Sequence, residues 1–292
     1  MDNMQGPPPE LIFGNYMAWK LDGKTWCISF MEGTEYIYLL EGEEKALLLD
    51  TGYGIGHLRT LVESLSDKPV IVANTHFHPD HSAGNGEWEE VSLSAGWETD
   101  APSVLNPGAG PVDLNSLPYP DYKKIILHDG DVIELGGRSV TVLEALPAHC
   151  NSSLFFVDEG HRMLFTGDEF ESHQTLMYDN SCNPEAPYHV EKRIENLRLN
   201  ALRLREIVSD GWYLLPNHNG TPIALSYLDG YLRLTEAIYD GTALIEDRLN
   251  HRFIEMDPKA PELCRVRCGD VSIFIKKKEV LKLYGKRKAE SS

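Results

Sequence analysis

The sequence predicts a single mixed α/β domain, on three observations. Short β-rich runs alternate with turns and helical patterns in both halves of the chain. No linker-like or low-complexity stretch breaks the 292 residues. Histidines and aspartates recur just past the ends of the expected strands, where open α/β architectures gather their sites. The domain is placed at residues 11–255, with a short C-terminal extension over 256–292.

In chain order, Thr25–Phe30, Tyr36–Leu40 and Ala46–Leu49 read as strands, with Glu41-Gly42-Glu43-Glu44 as a hairpin turn. Asp50-Thr51-Gly52-Tyr53-Gly54 is a sharp glycine turn. Leu58, Leu61, Val62 and Leu65 follow at helical spacing, and Pro69–Ala73 reads as another strand. A proline-, glycine- and asparagine-rich stretch from about Asp100 to Lys124 reads as a long loop. Strands resume at Lys124–Leu127, Val132–Leu135, Ser139–Leu146, Ser153–Val157 and Arg162–Thr166. Phe170–Tyr188 has little periodicity and reads as a second long loop. His189–Ser209 is helical, with Ile194, Leu197, Ala201, Leu204 and Val208 on one face. Trp212–Leu215 is a strand, Ile223–Leu249 largely helical, and Val271–Ile275 a last strand.

Composition narrows the function. Hydrophobic residues make up 42% of the chain, enough to bury a sizeable core. With 27 basic and 45 acidic residues the net charge is −18, which argues against a broad basic face for nucleic acid. Locally basic residues cluster only near the end, at 276–278 and 286–288, and read as a frayed terminus. Five cysteines are scattered without a CxxC pair, and the start is polar and proline-rich. No apolar run approaches the roughly 18 residues of a membrane span. The expectation is a cytoplasmic protein with free thiols, no membrane partner and no nucleic-acid partner.

The strongest chemical signal is His76-Phe77-His78-Pro79-Asp80-His81. Imidazole nitrogen and carboxylate oxygen suit zinc and similar divalent metals. His76 and His78 are two apart, so an extended segment points both the same way. Pro79 opposes a helix running through that pair, and the chain can then turn to present Asp80 and His81. Four ligands from one bend suit two adjacent metals better than one. His149, Asp168 and His218 each follow a strand end, across Pro147-Ala148, Gly167 and Pro216-Asn217.

Taken together, His76-x-His78-x-Asp80-His81, His149, Thr166-Gly167-Asp168 and His218 resemble the motif set of the metallo-β-lactamase superfamily, in order, from about residue 25 to 220. The resemblance implies an αββα sandwich with the metals at one edge between two sheets. By position it implies that His76, His78 and His149 hold one metal, that Asp80, His81 and His218 hold a second, and that Asp168 bridges both. Asp50, in the Asp50-Thr51-Gly52 turn, would orient a ligand through a hydrogen bond or simply cap the turn. The family often has Gly-His-Thr-Pro-Gly around its third histidine. Here the run is Ala148-His149-Cys150-Asn151-Ser152, so the pocket wall differs, and Cys150 reads as a buried small side chain or a metal neighbour.

The implied function is a dinuclear hydrolase acting on an ester, lactone, thioester or amide of a small molecule with a metal-bridging hydroxide. Asp80 and Asp168 are the catalytic candidates. The cofactor is two divalent metal ions, with zinc expected and iron or manganese as alternatives. A mononuclear iron enzyme of the sulfur-dioxygenase type and a phosphodiester hydrolase are the rival readings. The diiron flavoprotein branch usually has Glu in place of the second histidine, where this chain has His78. Tyr178, His173 and Tyr188, in the second long loop, either hydrogen-bond a substrate carbonyl, as a tyrosine does in the related lactonases, or pack the loop. The loops 97–123 and 170–188 are expected to shape the pocket. The helical region 224–249 covers the site or mediates a homodimer. Gly52, Gly54 and Gly56 resemble part of a dinucleotide fingerprint, but GxGxxG requires glycine where His57 stands.

Overall fold

The computed structural model describes residues 9–30, 35–97, 117–119, 121–177, 192–247 and 262–287. A first sheet runs in chain order through β1 (Leu11–Phe13), β2 (Tyr16–Asp22), β3 (Thr25–Phe30), β4 (Tyr36–Glu41), β5 (Ala46–Leu49), β6 (Val70–Ala73), β7 (Glu90–Ser94) and β8 (Lys123–Leu127). Its first half is an antiparallel meander. From β5 onward the pairing is parallel, because helix α1 (Leu58–Leu65) carries the chain back between β5 and β6.

A second sheet has the order β14 (Tyr213–Pro216), β12 (Met163–Gly167), β11 (Leu154–Asp158), β10 (Ser139–Glu144), β9 (Val132–Glu134). Helices α3 (Arg193–Ile207) and α4 (Ser226–Tyr239) follow its strands, and the one-turn helix α2 (Pro79–Ser82) lies earlier in the chain. A third, small sheet joins β13 (Gln174–Leu176), β17 (Val271–Lys276), β16 (Leu263–Cys268) and β15 (Leu244–Glu246), and helix α5 (Lys277–Leu281) follows it.

Strand alternation sorts the core into layers. Leu47 and Leu49 pack with Tyr38, Leu40, Val142, Leu154, Phe156 and Phe165, between the first and second sheets. Ala46 and Leu48, on the opposite face of β5, pack with Leu58, Leu61 and Val62 of α1. Phe155, Val157 and Leu164, on the outer face of the second sheet, pack with Leu197, Ala201 and Leu204 of α3 and with Leu228 and Leu234 of α4. The order is helix, sheet, sheet, helix: the αββα sandwich the resemblance implies. Arg138 ties the inner layers together. It lies 2.6 Å from Asp158 and donates to the Lys24 and Glu41 carbonyls and to Thr25 Oγ1, so the buried charge is both paired and hydrogen-bonded.

Several local expectations are corrected. The β1–β2 hairpin precedes the first strand read from sequence. Residues 223–249 are not one helix: α4 ends at Tyr239 before Asp240-Gly241, with Gly241 at φ 65°, and β15 follows. The second long loop contains β13. The boundary expected at residue 256 falls outside the described residues, and β16 and β17 beyond it pair with β15 and β13 before it. Among the described residues no helix is long and apolar enough to cross a membrane, and Cys27, Cys150, Cys264 and Cys268 are free thiols.

Candidate metal centre

The four strands β5, β6, β12 and β14 deliver the site from one edge of the sandwich. β5 runs parallel to β6, with Leu49 opposite Ala73, and β12 runs parallel to β14, with Gly167 opposite Pro216. Asp50, His76, Asp168 and His218 therefore leave aligned strand ends. Past β6 the chain bends at Thr75 and His76 and is extended at His78 (φ −58°, ψ 148°), the conformation favoured before a proline. Pro79 then opens α2 at a position where its missing N–H costs nothing. That sequence of bend, extended residue and helical turn sends His76 and His78 one way and Asp80 and His81 another. Gly84 follows α2 closely: a Cβ there would meet the Thr51 carbonyl at 2.4 Å, so the two loops can touch only because position 84 is glycine. Gly54 serves the same contact, since a Cβ there would meet the Ala83 carbonyl at 2.6 Å, while Gly52 and Gly56 abut Ile37 and Tyr16.

Two groups of ligand-type atoms result. His76, His78, His149 and Asp168 form one, and Asp80, His81 and His218 the other. In the first, His78 Nδ1 lies 3.0 Å from His76 Nε2 and 2.9 Å from His149 Nε2. In the second, His81 Nε2 lies 3.1 Å from His218 Nε2, and Asp80 Oδ2 lies 3.5 and 3.3 Å from those same nitrogens. Asp168 Oδ2 faces both groups, at 3.7 Å from His76 and His149 Nε2, 3.5 Å from His81 and 3.4 Å from His218.

The hydrogen-bond directions decide what these nitrogens offer. Asp50 is fully buried and, as a carboxylate, only accepts. It receives Thr75 N at 2.6 Å, Thr75 Oγ1 at 2.7 Å, Asn217 Nδ2 at 2.7 Å and His81 Nδ1 at 3.2 Å. Thr75 Oγ1 spends its proton there, so it accepts from His76 Nδ1 at 3.1 Å. His149 Nδ1 donates to the Leu176 carbonyl at 2.5 Å. The outer ring nitrogens of His76 and His149 thus carry the protons of neutral rings, and their Nε2 lone pairs point inward, while His81 is oriented by donating its Nδ1 proton to Asp50.

The inward lone pairs of His76 and His149 both meet His78 Nδ1, at 3.0 and 2.9 Å, and a cation placed among these three nitrogens would draw on all of them. Zinc at about 2.0–2.1 Å from each of two tetrahedral ligands would place them roughly 3.3 Å apart, close to the observed separations. Asp168 Oδ1 is buried without a hydrogen-bond partner among the described residues, so this carboxylate keeps acceptor capacity for an ion. The donor set fits divalent metal.

Ionisation divides the groups. Burial, foremost, lowers the pKa of all three imidazoles of the first group; the charge on His81 adds to the fall and Asp168 opposes it, and His78 falls to about 3. These rings are neutral, the ligating form. In the second group burial also opposes charge, but Asp80 and Asp168 outweigh it, holding His81 well above the usual histidine range and raising His218 to about 10. Asp80 and Asp168, which burial alone would raise, are held well below the carboxylate range by the surrounding histidines.

All seven ligand-type residues expected from sequence thus converge, and Asp50 sits against His81. His173 does not join them. It is exposed, stands on the third sheet's side with Tyr227 Oη 3.4 Å and the Asp270 carbonyl 3.3 Å from its ring nitrogens. Tyr178 and Tyr188 lie outside the described residues. Cys150 is buried beside Ser153 Oγ at 3.1 Å, within the core against α1. Sequence reasoning missed Thr75, Asn217, Glu169 and Arg193. Glu169 accepts the His149 N–H at 3.0 Å, and Arg193 donates to the Ala148 and His149 carbonyls, so the third-histidine loop is held from both sides.

A fold of this kind, with this cluster at its edge, defines a metal-dependent hydrolase, and the chain belongs to the metallo-β-lactamase superfamily, whose family model matches residues 31–208. Among known proteins it is similar to the human (Homo sapiens) acyl-coenzyme A thioesterase MBLAC2, 28% identical over 63% of this chain and 73% of that one. It is also similar to an oxidase of a reduced coenzyme from Methanocaldococcus jannaschii, 30% identical over 55% of this chain and 39% of that one. Among solved structures, a metallo-beta-lactamase from Pontibacter korlensis superposes with a TM-score of 0.56 at 20% identity, over 76% of this chain and 99% of that one.

Proposed function

We propose that the chain is a dinuclear thioesterase that hydrolyses acyl thioesters of the coenzyme A type, with two divalent ions, zinc foremost. The observation that carries the dinuclear reading is Asp168 Oδ2, which faces imidazole nitrogens of both groups within 3.4–3.7 Å. The likeness to an acyl-coenzyme A thioesterase, across most of that protein's length, supports the thioester class. His76, His78 and His149 would hold one ion and Asp80, His81 and His218 the other, with Asp168 within reach of both. Bound there, the ions lower the pKa of water from 15.7 to about 7 and polarise a carbonyl oxygen.

The chain's own residues set the geometry for that chemistry. The buried carboxylate of Asp50 fixes His81 directly and His76 through Thr75. Asp80, with 27% of its side chain exposed, reaches solvent and, as an ionised carboxylate, would accept a hydrogen bond from the attacking water and so orient its remaining proton. Burial of His76 and His149 keeps bulk water from competing for their inward lone pairs.

The test is hydrolysis of a thioester, lactone, β-lactam and phosphodiester panel by protein purified without added metal, with metal content measured on the same sample. About two zinc per chain with thioester turnover, abolished by chelation, is expected. The oxidase likeness supports a second, redox reading. Iron with oxygen uptake and no hydrolysis would establish it in place of the first.

A further inference from the structure

Glu35 immediately precedes β4 and is completely buried. Among the described residues neither of its carboxyl oxygens has a hydrogen-bond partner other than the residue's own amide. Its position is fixed from one residue away: Tyr36 N–H donates to the Asn217 carbonyl at 2.7 Å, and Asn217 Nδ2 donates back to the Tyr36 carbonyl at 2.6 Å. That bracket holds Glu35 beside the loop carrying His218. The carboxyl also lies over the Asp50-Thr51-Gly52 turn, because a Cβ on Gly52 would come within 3.8 Å of Glu35 Oε1.

The charged groups it feels are Asp80, His81 and His218, all of the second group. The tyrosines Tyr16 and Tyr36, from β2 and β4, face it as well. Burial, foremost, pushes its pKa up to about 7; Asp80 adds to the rise, while its own amide and the two histidines oppose it. An unmet buried carboxyl is costly, and native proteins rarely keep one without a use.

We infer that Glu35 contacts the substrate, its carboxyl accepting a hydrogen bond from an amide N–H on the leaving-group side of a thioester seated beside Asp80, His81 and His218. The inference rests on the thioester reading. The leaving arm of a coenzyme A thioester carries its first amide two methylenes from sulfur, so a donor arrives close to the scissile bond. That donor would supply the buried carboxyl with the partner it lacks among the described residues. Substrates without it would leave Glu35 unsatisfied and are disfavoured, as sites built to hydrogen-bond a group reject analogues that lack it.

Two thioesters of one acyl group test this: one of N-acetylcysteamine, which carries the amide, and one of ethanethiol, which does not. Glu35→Leu should lower kcat/KM for the amide-bearing thioester about 10- to 100-fold, as loss of a hydrogen bond to a charged group does, and change the ethyl thioester by less than about twofold. Glu35→Gln keeps a carbonyl acceptor and should fall between. An equal loss on both substrates, or no loss on either, overturns the contact. Melting temperatures of the variants separate contact from structure: Glu35→Leu should hold or raise the midpoint, and a fall beyond roughly 4 °C would mean the carboxyl has a structural partner, which also overturns it. Wild-type inactivity toward both thioesters overturns the thioester reading, and the assigned donor with it, and is read before any variant is made.

Discussion

The two halves of the site are built from similar side chains and behave oppositely toward protons. The first half is dry, with three histidines at most 7% exposed and no carboxylate of its own except the shared Asp168. Burial there keeps imidazoles neutral and ready to ligate. The second half has Asp80 beside His81 and His218, and it opens toward solvent at Asp80 and His218. Its carboxylates hold both histidines protonated when no ion is present. One half is preorganised for a cation by desolvation; the other is preorganised by charge and must release protons to accept one.

The largest effect expected from this contrast is on occupancy. His78→Ala should empty the first half and reduce hydrolysis more than 100-fold, beyond the 10- to 100-fold typical of residues one step removed from a metal. His218→Ala should lower stoichiometry to about one ion per chain while the first half stays filled. Metal analysis of the two variants side by side checks this, and equal losses in both would dissolve the distinction.

Next in size is Asp50→Asn. It should cost roughly 10- to 100-fold in metal affinity, measured by chelator competition. The loss should fall more heavily on the second half, because Asp50 bonds His81 directly and reaches His76 only through Thr75.

The pH dependence sharpens the same comparison. His218, raised to about 10, and His81 must each give up a proton to bind metal, so affinity at the second half should fall as pH falls, by up to about tenfold per unit per proton displaced. His78, lowered to about 3, is already neutral, so affinity at the first half should be flat between about pH 6 and 8. Zinc titrations of stripped protein across that range would show it. The smallest effect is expected at His173. It is exposed and turned to Tyr227 and Asp270, so His173→Ala should change stability within about 0.5 kcal/mol and turnover by less than about twofold.

The cluster was legible because its information is local. A histidine pair at spacing two before a proline specifies a bend, and His149, Asp168 and His218 each stand just past an apolar strand run. The third sheet was not legible, because β13 pairs in parallel with β17 nearly a hundred residues away, and neither three residues of β13 nor its flanks carry that partner. The β1–β2 hairpin did carry a signal, the Gly14-Asn15 turn between apolar runs, which a reading that began at Thr25 passed over. Asn217 and Thr75 are uncharged and ordinary in type; their importance comes from Asp50, which adopts φ 69° and collects their hydrogen bonds. Such a left-handed aspartate costs of order 1–3 kcal/mol, sustained by the bonds it receives. Glu35 was silent for the same reason: its significance is the lack of a partner, which no sequence displays.

The most direct measurement is a calorimetric titration of zinc into chelator-stripped protein at about pH 7.5. Two binding events are expected, with only the weaker one releasing protons, seen as a dependence of its heat on buffer ionisation enthalpy. A single event near one ion per chain, or two events with the same proton release, would contradict a dinuclear centre with unlike halves.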